Sequence, residues 1–302
     1  MRTVSRLQAD LLLLLTAAIW GLAFVAQKSG MAGLGPFGFV GLRFALSTVV
    51  VLPLAFGEWK ARAALPAMTG KDWAMMGLLS LVFFAACYLQ QAGMVSASVT
   101  NAGFLTALYV VFVPIIGLIV FRHRQSIIVW PACAIAIAGV WLLNGGRLDH
   151  LSPGDLLVIG CAAAFGLQIN LMGIVVRQSA RPFTICVAQN AVTAVVALGL
   201  AAANEHITLS GMQASLVPLL YAGIISGGLG FALQAFAQQH TPSADAAIIM
   251  SGEALFAALS GAVLLGERLD PVNWLGCGLI FAALLLVELY PFMLKAFTKP
   301  TH

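Results

Sequence analysis

Charged side chains are scarce in this chain. Asp, Glu, Lys and Arg make up 9% of its 302 residues, whereas hydrophobic residues make up 61%. Soluble domains carry about 25% charged residues, so the chain lacks the polar surface that a water-soluble fold needs. Its net charge of only +4 gives no reason to expect a nucleic-acid partner. The composition therefore indicates an integral membrane protein surrounded by lipid.

Motifs for catalysis, metal binding and ATP hydrolysis are also missing. The only Gly-Lys pair, Gly70-Lys71, is followed by Asp72 and is not part of a phosphate-binding loop. No serine sits in a Gly-x-Ser-x-Gly elbow, and no His-Glu-x-x-His occurs. We therefore expect no enzyme activity, no metal and no cofactor. The five cysteines lie apart in apolar runs, as small apolar residues do: Cys87, Cys133, Cys161, Cys186 and Cys277.

Ten charge-poor segments follow one another along the chain. A membrane-spanning helix needs about 20 apolar residues, and backbone amides in lipid must be bonded within the segment. The predicted fold class is therefore all-α integral membrane, with ten transmembrane helices. We expect the first segment to be kept as a helix and not cleaved as a signal peptide, because its pattern recurs later. The segments are 11–27, 36–56, two within 73–121, 125–146, 156–176, 182–204, one within 207–244, 244–265 and 271–290.

Positive charges between these segments predict the orientation. Cytoplasmic loops of membrane proteins are enriched in Lys and Arg. With both termini in the cytoplasm, the outer side holds only Lys28, Arg147 and Arg268, and Arg43 lies within a span. The inner side then holds the larger set, Arg2, Arg6, Lys60, Arg62, Lys71, Arg122, Arg124, Arg177, Arg181, Lys295 and Lys299. This imbalance supports ten spans with both termini cytoplasmic.

The two halves of the sequence repeat one another. Asp10-Leu-Leu-Leu-Leu matches Asp155-Leu-Leu-Val-Ile 145 residues later, and Trp20-Gly21 falls on Phe165-Gly166 at the same offset. Five helices are an odd number, so the second copy enters the membrane from the opposite side. The predicted halves, 1–146 and 147–302, thus form an inverted repeat. Secondary transporters are commonly built this way, with the substrate site between the halves near the membrane midplane.

Four stretches of the sequence carry a family resemblance: Ala18-Ile-Trp20-Gly21, Gly41-Leu-Arg43-Phe44, the junction Ser96-Ala-Ser98 with its copy Thr241-Pro-Ser243-Ala244, and Leu265-Gly-Glu267-Arg268-Leu with Trp274-Leu-Gly276. Through these stretches the sequence resembles the drug/metabolite transporter superfamily, specifically its EamA-type ten-helix members. The resemblance covers essentially the whole chain. The first half has Phe121-Arg122 where the second has Gly266-Glu267, so Glu267 is not expected to be a shared functional element.

This resemblance implies a secondary or facilitative transporter that exports small organic metabolites by alternating access. Amino acids are the leading class, with aromatic or other apolar ones favoured. Helices 1–4 and 6–9 would line a central cavity, while helices 5 and 10 pack outside it. The substrate gradient or proton exchange would drive export across a bacterial inner membrane, by a monomer or a homodimer.

Two alternatives stay open at this point. One is a carrier of another solute, such as a nucleotide sugar or a drug. A sugar-nucleotide site needs several basic residues to meet the phosphates, and Arg43 alone lies within a span. The other is a non-transporting enzyme or scaffold, which the missing catalytic motifs and the inverted repeat disfavour.

Arg43 and Glu253 are the charged candidates within the spans. A charge at the centre of a bilayer costs roughly 2.5–3.5 kcal/mol on insertion scales, so such groups face a cavity or a partner. The planar guanidinium of Arg43 suits the carboxylate of an amino acid. Glu253 would bind the ammonium group or take up a coupling proton. The structural alternative is that each side chain extends to the membrane surface, or that the two pair to brace the helices.

Polar and aromatic residues at helical spacing are the other candidates for substrate contact. Thr16, Trp20, Phe24 and Gln27 share one face of the first helix, which either packs against a neighbour or faces the solute. Amides within spans also hydrogen-bond between helices, which is their structural alternative. The complete predicted set is Trp20, Phe24, Gln27, Arg43, Tyr88, Gln91, Phe165, Gln168, Gln189, Gln234, Gln238 and Glu253.

Four glycines crowd the eighth predicted helix: Gly223, Gly227, Gly228 and Gly230. Small residues let helices approach closely within a membrane. We therefore predict a close helix contact here, with a hinge as the alternative.

Overall fold

The computed structural model describes residues 4–61, 65, 67–97, 99–143, 146, 152–264 and 270–297, without the side chains of 99–100, 260–264, 288 and 291–297. Within these ranges every regular element is a helix. The first half contains α1 (Arg6–Gly30), α2 (Pro36–Ala61), α3 (Gly70–Gly93), α4 (Val99–Ala107), α5 (Tyr109–Ile119) and α6 (Val129–Leu143). The second contains α7 (Pro153–Ser179), α8 (Pro182–Asn204), α9 (Leu209–Ala214), α10 (Leu216–Leu220), a π-helix (Tyr221–Gly230), α11 (Phe231–Ala237), α12 (Ser243–Met250), α13 (Glu253–Leu264) and α14 (Pro271–Phe297).

These helices fall into the ten predicted segments, so the all-α membrane fold is confirmed. Seven stretches of the described chain are long and apolar enough to cross a membrane, and α6 and Pro271–Val287 are shorter apolar helices. Three predicted spans are interrupted. The fourth consists of α4 and α5, the eighth of α10, the π-helix and α11, and the ninth of α12 and α13. The predicted junction residues Ser98, Glu267 and Arg268 lie outside the described part of the chain.

Side-chain hydrogen bonds to backbone carbonyls occur in the interrupted fourth and ninth spans. Pro114 within α5 has no backbone N–H, so the carbonyl of Val110 loses its helical partner, and Cys133 Sγ donates to that carbonyl at 3.2 Å. At the end of α12 the hydroxyl of Ser251 donates back to the carbonyl of Ile248 at 2.7 Å. Side-chain bonds of this kind compete with the helical pattern, and α13 begins afresh at Glu253.

Two glutamates show that the halves run in opposite directions. Glu58, near the end of α2, accepts from the backbone N–H of Thr184 at 2.8 Å at the start of α8. Glu205, just after α8, accepts from Gly38 N–H at 2.7 Å at the start of α2. Each carboxylate thus caps the N-terminus of the equivalent helix in the other half, where unpaired N–H groups favour an acid. Equivalent helices are therefore antiparallel, which confirms the inverted repeat.

Basic side chains cap equivalent turns in the two halves. Lys28, near the end of α1, donates to the carbonyl of Ala97 at 3.1 Å, in the turn between α3 and α4. Arg177, near the end of α7, donates to the carbonyl of Gln238 at 3.1 Å, in the turn between α11 and α12. Carbonyls at the end of a helix have no helical donor, so each turn is stabilised by a cation from the first helix of its own half.

The helices α6 and α14, which are the fifth and tenth predicted spans, pack against each other in antiparallel directions. A Cβ on Gly139 would lie 2.8 Å from Ile280 N, and a Cβ on Gly276 would lie 2.5 Å from Leu143 N. Asn273 Nδ2 donates to the carbonyl of Leu143 at 2.8 Å across the same contact. The two glycines therefore allow the backbones to touch.

Substituting Gly276 by alanine should destabilise this contact. Because the new methyl group would meet backbone atoms, the helices must separate, and overpacking of this kind costs about 1–3 kcal/mol. We expect a lower thermal midpoint for Gly276→Ala in detergent. Gly278→Ala, two residues along the same helix, is the control, because no atom lies within 4 Å of its Cβ position. Equal midpoints for the two variants would contradict the close packing.

Candidate functional site

A narrow cavity lies between the halves. Its volume is about 40 Å³, room for a few water molecules. Both halves contribute walls, through α1, α2, α3, α4 and α5 on one side and α7, the π-helix, α11 and α13 on the other. Of the predicted site residues, eight line it: Trp20, Phe24, Gln27, Arg43, Phe165, Gln168, Gln234 and Glu253.

Arg43 is buried in α2 and is held by three neighbours. Its Nη1 donates to Gln27 Oε1 at 2.8 Å, its Nη2 to Ser226 Oγ at 3.0 Å and its Nε to the carbonyl of Ala222 at 3.1 Å. Its exposed fraction is 4%, so the side chain does not extend to the surface. A guanidinium has five N–H donors, and these bonds use three of them. The group is thus fixed in position and keeps donors for another acceptor.

The π-helix supplies two of those three partners. A π-helix is wider than an α-helix and is often found at functional sites. The π-helix also accepts two hydrogen bonds from neighbouring helices. Ser47 Oγ donates to the carbonyl of Gly223 at 2.8 Å, and Trp20 Nε1 donates to the carbonyl of Ser226 at 3.2 Å. Its glycines pack directly on α1 and α2, since a Cβ on Gly230 would lie 2.6 Å from Trp20 Nε1. The predicted close contact is present, and it positions the arginine.

Glu253 begins α13, lines the same cavity and is 3% exposed. Its carboxyl interacts with the hydroxyl of Tyr109, but the geometry is not that of a hydrogen bond, and Glu253 Oε1 and Tyr109 Oη have no other partner among the described residues. Gly21 of α1 makes room here, because a Cβ there would lie 2.6 Å from the carbonyl oxygen of Glu253. Burying a polar group without a hydrogen bond is costly, which marks this carboxyl as available for a ligand.

Arg43 and Glu253 therefore present a base and an acid to one cavity. Neither forms an ion pair within the part of the chain that the structure describes, where the only carboxylate pairs are those of Arg6 with Asp10 and Asp245. Buried charges are normally paired. The cavity thus holds a fixed cation and a separate acid that are not neutralised by each other.

Aromatic rings fill one side of the cavity. The ring of Phe231 lies 4.7 Å from that of Trp20 and 4.6 Å from that of Phe83, and Phe83 in turn lies 6.5 Å from Phe165. Contacts at these distances stabilise a cluster beyond simple burial. The cluster joins both halves and leaves little free space, so a solute must displace these rings to enter.

Amide side chains form a hydrogen-bonded chain that begins at the cavity wall, where Gln168 and Gln234 lie. Gln168 Nε2 donates to Gln189 Oε1 at 3.3 Å, and Gln234 Nε2 donates to Gln168 Oε1 at 3.4 Å. Gln189 Nε2 and Gln234 Oε1 are buried without a partner among the described residues. These amides can therefore accept and donate one more hydrogen bond.

Four predicted site residues do not line the cavity. Gln91 Nε2 donates to the carbonyl of Gln27 at 3.1 Å and Gln238 Nε2 to that of Ile169 at 3.0 Å, so both brace neighbouring helices. Tyr88 stacks on Phe37, with ring centroids 4.1 Å apart. Gln189 lies behind Gln168. In α3 the adjacent residues face the cavity instead, because the rotation of a helix about its axis is set by packing.

Other lining residues were not among the predicted set: Cys87, Gln90, Thr106, Tyr109, Ser226 and Phe231. Gln90 Nε2 donates to Thr106 Oγ1 at 3.2 Å, which links α3 to α4. Polar residues in an otherwise charge-free run were the available signal for Gln90, Thr106 and Tyr109. Cys87 and Phe231 carry no such signal, since both are common in apolar helices.

The sequence matches the EamA-like transporter family twice, over residues 7–145 and 152–289. One relative, an uncharacterised transporter of Archaeoglobus fulgidus, is 30% identical over 95% of this chain and 87% of its own. The threonine/homoserine exporter RhtA of Escherichia coli K12 is 27% identical over 90% and 88% of the two chains. A probable amino-acid metabolite efflux pump of Salmonella typhimurium is 26% identical over 90% and 92%.

A solved crystal structure has the same fold. It superimposes with a TM-score of 0.77 at 15% identity, covering 93% of this chain and 96% of that one. The two matches to the family together cover most of the chain, and they coincide with the two antiparallel halves of the structure. The chain therefore belongs to the EamA-like transporter family of the drug/metabolite transporter superfamily, and it is a multi-pass membrane transporter.

Proposed function

We propose that this protein exports zwitterionic metabolites, with amino acids as the main class. The observation that carries the proposal is the placement of Arg43 and Glu253 in one cavity without an ion pair between them. An amino acid brings a carboxylate and an ammonium group, which complement these two side chains. The named relatives include an exporter of threonine and homoserine and a probable amino-acid metabolite efflux pump.

Each charged group has a proposed task. Arg43 binds the carboxylate through the N–H donors that its three protein partners leave unused. Glu253 binds the ammonium group, or takes up a proton in exchange. The aromatic cluster of Trp20, Phe165 and Phe231 favours an apolar side chain on the solute. A nucleotide sugar fits less well, because Arg43 is the single basic residue among the described residues that line the cavity.

The size of the cavity supports transport by alternating access. Its volume of about 40 Å³ is too small for an amino acid, so the halves would rock or the aromatic rings would move when a solute binds. Antiparallel halves would open the cavity to one face of the membrane at a time. Export across a bacterial inner membrane, with both termini in the cytoplasm, remains part of the proposal.

A counterflow assay in proteoliposomes tests the zwitterion proposal. Labelled phenylalanine, leucine and threonine would be offered, together with analogues that lack one charge. Phenethylamine has no carboxylate and 3-phenylpropionate has no ammonium group, so each should compete at least about 10-fold less well than phenylalanine, since one lost charged hydrogen bond is worth about 1.5–3 kcal/mol. Equal competition by either analogue would contradict recognition of that charge.

Orientation has a separate test. In the proposed topology residues 62 and 147, which lie outside the described ranges, face opposite sides of the membrane. An Arg62→Cys variant should react with a membrane-impermeant thiol reagent only from the cytoplasm, and Arg147→Cys only from outside. The five native cysteines are buried, so their background labelling should be low. Reaction of both variants from one side would overturn the topology.

A further inference from the structure

A second cleft lies at the end of the molecule where α1 begins. Its walls are the segment after α5, the end of α7 and the turn before α12, and its volume is about 260 Å³. Four of its lining side chains are basic or can become so: His123, Arg124, Arg177 and His240. None of its described lining residues is Asp or Glu. The cleft is separate from the central cavity.

The two acids near this cleft share one arginine. Asp10 and Asp245 both pair with Arg6, at 3.3 Å and 2.7 Å, and Asp10 also accepts from the hydroxyl of Thr241. Arg6 balances one of the two carboxylates, whereas the described lining of the cleft holds two arginines and no acid. The arginines of the cleft therefore outnumber the remaining acidic charge.

Arg177 is positioned to receive an anion. Its Nη1 donates to the carbonyls of Gln238 and Thr241, at 3.1 Å and 3.4 Å, which fixes the guanidinium. Nε and Nη2 make no hydrogen bond to the described residues. The guanidinium is a planar fork that fits a carboxylate or phosphate, and holding it in place beforehand lowers the entropy lost on binding.

The start of α12 adds backbone donors to the same cleft. Pro242, Ser243 and Ala244 line it, and the helix begins without a side-chain cap. The N–H groups of a first helical turn are unpaired within the helix and attract anions. Arginine side chains, imidazoles and helical N–H groups therefore converge on one space.

The cleft is also adjacent to the central cavity. Asn170 lines the cleft, whereas Gln168 and Ile169, its neighbours in α7, line the cavity. Gln238, next to the cleft residue Gln239, donates to the carbonyl of the cavity residue Ile169 at 3.0 Å. The cleft and the cavity are therefore linked through α7 and through this hydrogen bond.

We propose that this cleft is an oxyanion site that receives the carboxylate of the solute before it reaches the central cavity. Binding of the oxyanion stands on the cleft alone, whereas the role in solute entry rests on the proposed function. The phosphate of an anionic lipid has the same chemistry and is the competing source of a ligand.

Histidine resonances can test the oxyanion site without any transport. The chain has five histidines, of which His123 and His240 line the cleft. Protein labelled with ¹³C at histidine Cε1 would be titrated with acetate at constant ionic strength and pH. We expect a saturable shift of two signals, which His123→Gln and His240→Gln assign. No saturable shift, or the same shift in all five signals, would overturn the site.

Variants of the cleft test whether its arginines are responsible for the acetate-induced shift of the histidine signals. Arg124→Gln removes an exposed charge and should weaken acetate binding at least about 3-fold, and the double variant with Arg177→Gln about 10-fold or more. Arg177→Lys keeps the charge and should retain binding if the double variant fails to fold. Lys60→Gln, an exposed cation near the end of α2 outside the cleft, is the control and should bind acetate as the wild type does.

Two further arms decide between solute and lipid. In nanodiscs of phosphatidylcholine the acetate shift should persist, and adding phosphatidylglycerol should not abolish it. Loss of the shift with phosphatidylglycerol would identify a lipid phosphate and sink the entry role. In counterflow, Arg124→Gln should raise KM for amino acids about 3-fold at unchanged kcat. An unchanged KM would also contradict the role in solute entry. A saturable acetate shift in a protein that transports no amino acid would support the oxyanion site and contradict only the proposed function.

Discussion

An Arg43→Gln variant is expected to insert and fold but to export amino acids about 100-fold less efficiently. Glutamine can replace part of the bonding to Ser226 and Gln27, so the helices remain joined. The carboxylate of the solute, however, loses its only cation among the described cavity residues. Truncating one partner of a buried, hydrogen-bonded charge pair costs about 2–5 kcal/mol, of which 2.7 kcal/mol corresponds to 100-fold. The measurement is kcat/KM for counterflow in proteoliposomes.

Two further variants distinguish a role of Arg43 in binding the solute from a role in holding the helices together. Arg43→Lys keeps the positive charge but loses the planar guanidinium, and it should be more active than Arg43→Gln and less active than the wild type. Ser226→Ala removes the partner of Nη2, which bonds at 3.0 Å, without changing any charge, and should cost less than about 10-fold. If Arg43→Gln lowered the thermal midpoint while keeping wild-type kcat/KM, Arg43 would be a structural brace and not a ligand.

A Glu253→Gln variant is expected to be more stable than the wild type and much less active. The carboxyl of Glu253 is buried and its Oε1 has no hydrogen bond within the described structure, so a side chain that cannot ionise avoids the cost of burying a charge there. Loss of the ammonium partner should lower kcat/KM for amino acids by about 10- to 100-fold. If the same carboxyl carries the coupling proton, the variant should also lose the pH dependence of uptake into vesicles.

Glu58→Gln provides a matched comparison. Glu58 is also buried, but it accepts from the backbone N–H and the hydroxyl of Thr184, at 2.8 Å and 2.7 Å. The same substitution there should lower the thermal midpoint and leave transport per folded molecule unchanged. A Glu253→Gln variant with wild-type transport and unchanged pH dependence would remove Glu253 from the mechanism.

The sequence predicts the architecture well because the membrane imposes long-range rules on it. Apolar runs mark the spans, and the match of Asp10 with Asp155 indicates the repeat. The breaks within the fourth, eighth and ninth spans do not follow from these signals. Composition records that a segment is apolar, but a π-helix at Tyr221–Gly230 is a change of hydrogen-bond register that depends on what packs against the segment.

The site is predicted in part for a similar reason. Charged residues in spans are costly, so Arg43 and Glu253 stand out from the sequence alone. Amides and aromatics are tolerated on any helix face, so their direction depends on how each helix is rotated by its neighbours. In α3 a difference of one residue separates the predicted Gln91 from Gln90, which lines the cavity. Cys87 and Phe231 also line the cavity, but the sequence does not predict them, because cysteine and phenylalanine are common in apolar runs.

The reciprocal caps of Glu58 and Glu205 have an implication for the origin of this architecture. Each half closes the other with the same acid at the same place, so two identical five-helix chains inserted in opposite orientations would satisfy both contacts as a symmetric dimer. Such an assembly has identical walls on both sides of its axis and cannot distinguish one end of a solute from the other. Fusion into one chain lets the halves diverge, and here Arg43 corresponds to Gln189 while Glu253 corresponds to Leu108. Only after this loss of symmetry can the protein bind, in one orientation, a solute whose two ends carry opposite charges.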